Sequence, residues 1–136
     1  MKIVLDTNVL VSGLLRPFGA PGDIVRMTSS GTLELCYDAR ILSEYQDVLL
    51  RPKFNFNQAH VDALLDQIKA CGHLVAAKPL AKALPDPNDE PFLEVALAGK
   101  ARCLVTWNLR HYPTKKQQNI PVLSPTQFLE VYRGKL

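Results

Sequence analysis

The feature that most constrains this chain is an apolar run that ends in a carboxylate. Ile3-Val4-Leu5 are three consecutive β-branched or large apolar residues, the composition of a strand buried on both faces, and Asp6 stands where that strand must stop. In an open parallel sheet, ligands bind just beyond the carboxyl ends of the strands, so an acid at this tip is well placed for chemistry. Asp6-Thr7-Asn8 is equally good capping material ahead of the helical pattern Val9 to Leu15, and both readings of Asp6 stay open at this point.

The rest of the chain alternates between the two periods. Arg16 to Gly22 contains two prolines and two glycines and reads as a loop near the site mouth, followed by a short helix from Asp23 to Ser30 that Gly31 closes. Leu33 to Tyr37 is a second strand. Asp38 caps a helix from Ala39 to about Leu50, whose apolar face carries Ile41, Leu42, Tyr45, Val48 and Leu49. Glu44 falls at the margin of that face, either a solvated flank residue or an acid turned toward a site. Asn57 to about Cys71 is amphipathic and stops at Gly72, with Asp62 and Asp66 on its solvent side. His73 to Val75 forms a short strand.

Pro91 is tolerated only in a helix's first turn, so the next helix begins near Asp89 and runs to Gly99. Its free N–H groups and positive dipole end face Asp86, Asp89 and Glu90, more acids than capping alone requires. Arg102 to Thr106 is a buried strand that delivers Trp107 and Asn108 at its tip, with Trp107 read as a packing residue. Ile120 to Leu123 is a last strand, and Ser124 and Pro125 open a terminal helix. Strands alternating with helices imply an α/β, three-layer α/β/α sandwich around a mainly parallel sheet, a single domain over residues 1–136.

Composition removes several alternatives. At 47% hydrophobic and 21% charged, the 136 residues match an ordinary globular chain. No apolar run approaches the roughly 18 residues that span a bilayer, and Asp6 interrupts the N-terminus before a signal-peptide core, so the expectation is a cytoplasmic protein without membrane attachment. Cys36, Cys71 and Cys103 are odd in number and lie among apolar neighbours, as buried thiols do. A net charge of +3 permits a polyanionic partner without demanding one. The chain has no GxxxxGK[ST], GxGxxG or GxSxG, which leaves nucleotide cradling and serine hydrolysis without support.

Right-handed crossovers bring the strand ends to one face, which Asp6, Glu44, Asp89 and Asn108 can all reach. Carboxylates gathered in one crevice raise each other's pKa unless a cation lies among them, and Mg²⁺ or Mn²⁺ takes such oxygen ligands together with substrate phosphate. That chemistry suits hydrolysis of a phosphodiester. Two other classes stay in play: a binding module without catalysis, and a phosphotransfer domain using Asp6 as nucleophile.

Four blocks together resemble the signature of the PIN-domain ribonucleases. They are Asp6-Thr7-Asn8-Val9-Leu10, Glu44, Asp86-Pro87-Asn88-Asp89-Glu90-Pro91-Phe92-Leu93, and Leu104-Val105-Thr106-Trp107-Asn108. Order and spacing match over essentially the whole chain, and the chain is most similar to the stand-alone, VapC-like toxins of toxin–antitoxin pairs. The resemblance implies a PIN-like, Rossmann-like sheet and a Mg²⁺- or Mn²⁺-dependent endoribonuclease acting on single-stranded RNA. It also implies a homodimer or higher homo-oligomer, neutralised by a small antitoxin protein. Position by position, Asp6, Glu44 and Asp89 match the family's first three metal-binding acids, and the DxxD spacing leaves Asp86 able to take or share the third role. The family's fourth position often holds Asp and here holds Asn108, one negative charge fewer, which also keeps open a catalytically weakened RNA- or protein-binding module. Thr106 matches the hydroxyl beside the site, and Thr7 is placed to orient Asp6 or a water. For phosphate contacts Arg16, Arg51, Lys53, Arg102, Arg110, Lys115 and Lys116 are available, with Arg110-His111-Tyr112 the first choice for a substrate-facing rim and Arg16 and Thr7 also assigned to substrate binding.

Overall fold

Five short strands form one all-parallel sheet in the order β3-β2-β1-β4-β5. The computed structural model describes residues 1–113 and 119–134; Lys115 and Lys116 lie outside them. β1 is Lys2–Leu5, β2 Glu34–Tyr37, β3 His73–Leu74, β4 Leu104–Val105 and β5 Val122–Leu123. The helices are α1 (Thr7–Leu15), α2 (Ala20–Ser29), α3 (Ala39–Leu49), α4 (Gln58–Cys71), α5 (Glu90–Ala98) and α6 (Pro125–Tyr132).

Ile3, Val4 and Leu5 have no exposed surface, as a central strand covered on both faces requires. The steps from β1 to β2 and from β2 to β3 run the same way across the sheet. Right-handed crossovers therefore put α1 to α4 on one face, where they pack on one another, with α6 against α2. The return from β3 to β4 reverses direction and sets α5 on the other face against β1, β2 and β4. Phe92, Leu93, Val95 and Ala96 of α5 complete that second core layer. The sheet and its two helical layers are the expected sandwich.

Register fixes what meets at the strand ends. Leu5 pairs with Val105, and the Asp6 N–H donates to the Val105 carbonyl at 2.9 Å, so Asp6 and Thr106 stand side by side. β1 and β4 are also where the chain's crossovers leave opposite faces, the crevice in which α/β sheets bind ligands.

Caps hold the helix starts as read from sequence. Asp38 accepts from the Ile41 N–H at 3.1 Å, Asn57 from the His60 N–H at 3.1 Å, and Ser124 with Gln127 forms a capping box. Asp62 and Asp66 are exposed, and the three cysteines are free thiols, Cys36 and Cys103 buried. The expected loop from Arg16 to Gly22 requires correction, because α2 begins at Ala20 and passes through Pro21 and Gly22. Proline costs nothing in a first turn, and Gly22 is there for proximity: a Cβ on it would stand 2.1 Å from the Pro17 carbonyl oxygen. Among the described residues no helix is long and apolar enough to cross a membrane.

Candidate active site

Asp6 occupies the N-cap position of α1 with extended backbone, yet its side chain makes no capping hydrogen bond. Its Oδ2 instead accepts from the Thr106 hydroxyl at 2.9 Å and from the Tyr112 hydroxyl at 3.2 Å. The carboxylate is aimed across the sheet end, and the capping alternative falls. Asp6 is 5% exposed. Burial pushes its pKa up and the charge of Asp89 adds to that, against the two hydroxyl donors.

Thr106, wholly buried, is the hub of the strand-end network. Its Oγ1 donates to Asp6 and accepts from the Asn8 amide at 3.4 Å and from the Asn108 backbone N–H at 3.0 Å. Asn8 Oδ1 in turn accepts from the Trp107 N–H at 3.2 Å, tying the start of α1 to the segment beyond β4. The Thr7 hydroxyl donates to Glu44, while its backbone N–H bonds the Asp6 carboxylate.

Glu44 is half-buried on α3, on the site side of the helix and not a solvated flank. Burial raises its pKa, and the Asp6 charge raises it further against the Thr7 hydrogen bond. Asp89 closes the 3-10 turn Pro87–Asp89 that leads into α5. Its pKa is raised first by burial and then by Asp86 and Glu44, while His111 opposes. Asp89 Oδ2 and His111 Nδ1 are 2.9 Å apart and both buried, but off the line of a hydrogen bond. Asp86 accepts from the Asn88 N–H at 2.9 Å, so its carboxylate serves the turn.

Asp6, Glu44 and Asp89 thus each raise another's pKa through their charges. They are oxygen donors with an excess of negative charge, which fits a hard divalent cation. Among the described residues no group of three or more His, Cys, Asp and Glu side chains is arranged to hold a metal ion together. Glu44 is engaged by Thr7, and Asp89 faces His111. Mg²⁺ is commonly held through one or two carboxylates and several waters, so this donor set still suits it.

Asn108 is exposed at the strand tip, with its backbone N–H on Thr106 and no side-chain hydrogen bond among the described residues. Arg110 is exposed and without an ion pair among those residues. Arg16 lies further off, at the far end of a groove that begins at Thr7 and Asn8 and is lined by Val11, Leu15, Val48 and Phe54. Two expectations for this segment need correction. Trp107 is 45% exposed, so it is not the buried packing residue expected: its ring is only partly covered, while Asn8 holds its backbone N–H. Tyr112 does not belong to an outer rim: it is fully buried, and burial followed by the charges of Asp6 and Asp89 lifts its pKa above the usual phenol range.

Sequence reading missed Tyr112 and His111 as partners of the acids. It also missed Tyr45, whose hydroxyl donates to the Leu5 carbonyl beneath the site. The only signal for the first two was their position just after a strand tip.

The family model for the PIN domain matches residues 2–110. An uncharacterized protein of Methanocaldococcus jannaschii is 27% identical over 104 residues, covering 74% of this chain and 67% of that protein. A chain in the crystal structure of VapBC2 from Rickettsia felis, bound to a DNA fragment from their promoter, superposes with a TM-score of 0.55 at 16% identity. That match covers 91% of this chain and 98% of the other, and it is a likeness of fold.

Proposed function

The chain belongs to the PIN-domain family, and from that premise we propose that it is a divalent-cation-dependent endoribonuclease that cuts single-stranded RNA as the toxin of a toxin–antitoxin pair. The observation that carries this reading is the strand-end crevice in which Asp6, pinned by Thr106 and Tyr112, shares its field with Glu44 and Asp89. Acids that raise one another's pKa are costly to a fold unless something cationic offsets them.

In this reading Asp6, Glu44 and Asp89 would hold Mg²⁺ or Mn²⁺ directly or through bound waters, with Asp89 favoured over Asp86 because an Asp86 oxygen is taken by its own turn. When bound, the cation would supply positive charge at a phosphate and lower the pKa of a bound water. The protein's part is orientation. Thr106 and Tyr112 fix the Asp6 carboxylate, and Thr7 fixes Glu44. Asn108 is a neutral oxygen donor where a fourth acid would add charge, and Arg110, exposed and without an ion pair among the described residues, is available to the phosphate chain. The likeness to a VapBC2 chain supports a small protein antitoxin as partner, and the same reading carries self-association and a cytoplasmic site of action.

End-labelled single-stranded RNA incubated with the protein and Mn²⁺ or Mg²⁺ tests the proposal. Cleavage is expected, is abolished by chelator, and falls on the order of 100-fold or more in Asp6→Asn. Asn keeps an oxygen for Thr106 and Tyr112, so that loss reports charge and not geometry. Retention of RNA without cleavage in any divalent metal would instead favour the binding module that the neutral Asn108 allows.

A further inference from the structure

Trp107 is the chain's single tryptophan, and it is 45% exposed one residue beyond Thr106, whose hydroxyl bonds Asp6. Leaving so large an apolar ring in water forgoes stabilisation that burial would give, and an exposed aromatic beside a site commonly marks a contact surface. Its backbone is nevertheless held rigidly. Asn8 fixes the Trp107 N–H, Thr106 fixes the Asn108 N–H, and the following 3-10 turn Leu109–His111 is anchored by buried Tyr112 on Asp6. Trp107, Asn108, Leu109, Arg110 and His111 line one depression of about 390 Å³. Arg110 in it has no ion pair among the described residues, and Asn108 joins it to the crevice.

We propose that this depression is a nucleobase subsite, in which Trp107 stacks on a base of single-stranded RNA next to the scissile phosphate while Arg110 holds the adjoining phosphate. An aromatic face and a free guanidinium side by side are the two parts that grip a single strand: the ring tolerates any base, and the cation tracks the backbone. The proposal rests on the nuclease reading for its substrate, but the ring can be tested without cleavage.

Since Trp107 is the sole tryptophan, fluorescence excited selectively at tryptophan, clear of the four tyrosines, reports on this subsite. In EDTA, titration with an eight-nucleotide oligouridylate is expected to quench it, whereas inorganic polyphosphate of matched charge leaves it largely unchanged. Trp107→Ala weakens binding of the dye-labelled oligonucleotide about tenfold, Trp107→Tyr restores most of it, and circular dichroism confirms that both variants fold. Arg110→Ala lowers the slope of log affinity against log salt by about 0.7, one phosphate on a single strand. Equal quenching by polyphosphate, or no response to RNA by a protein that still cleaves it, would overturn the subsite and leave the nuclease reading standing. Quenching by a protein that cleaves nothing would do the reverse.

Discussion

Asp6 is an acid whose ionisation works against the fold that holds it. Its pKa lies above the usual carboxylate value, chiefly through burial, so the folded state holds the proton more tightly than the unfolded chain does. The stability this contributes is full below the ordinary carboxylate pKa of about 3.9 and is lost as pH rises through the raised value. For metal-free protein, Asp6→Asn should therefore melt a few degrees above the parent at pH 8, with the difference closing toward pH 4. Thermal denaturation across that range checks the sign, and a variant less stable than the parent at pH 8 would refute it. At this scale the sequence was legible where an acid met a strand end, as at Asp6, or where a hydroxyl lay beside it, as at Thr106. Tyr112 and His111 were not legible as partners, since Tyr112 reaches Asp6 across 106 residues through strand register and a 3-10 turn, which no local spacing encodes.

Helices α1 and α2 approach each other so closely that one glycine decides whether they can. A Cβ on Gly13 would stand 2.5 Å from Val25 Cγ2 and 2.6 Å from the Pro21 carbonyl oxygen. The side chain could turn aside, but the carbonyl belongs to the first turn of α2 and cannot move alone. Gly13→Ala gains roughly 0.5–1 kcal/mol of helix propensity and loses about 1–3 kcal/mol to overpacking, so the net effect is destabilising. Urea denaturation should show a lower midpoint at unchanged slope, and cleavage should weaken as well, because α1 carries Thr7 and Asn8 at its other end. Helices with side-chain caps, α3, α4 and α6, were readable to within a residue or so because Asp38, Asn57 and Ser124 signal their own starts. The start of α2 was missed because Pro21 and Gly22 look like breakers in sequence, whereas in space one opens a helix and the other permits a contact.

The whole molecule sets carboxylates from three distant segments into one field. Alternating strands and helices made the parallel sandwich readable, but the order β3-β2-β1-β4-β5 depends on which strand pairs with which, and that is what brings β4 and its Thr106 against Asp6. Glu44 arrives on α3 and Asp89 ahead of α5, from opposite faces of the sheet. Their mutual repulsion means that a divalent cation should stabilise the native state well beyond simple ionic-strength effects. At a metal concentration of 100 times its Kd, mass action adds about 2.7 kcal/mol, which for a chain of this length raises Tm by roughly 8 °C. The rise should diminish below about pH 5 as protons compete for the same carboxylates. It should be largely absent in the Glu44→Gln, Asp89→Asn double variant, and potassium chloride of equal ionic strength should not reproduce it. Differential scanning calorimetry in Mn²⁺ against EDTA measures it directly. A double variant that kept the full rise would place the cation elsewhere on the molecule and detach Glu44 and Asp89 from the chemistry proposed for this crevice.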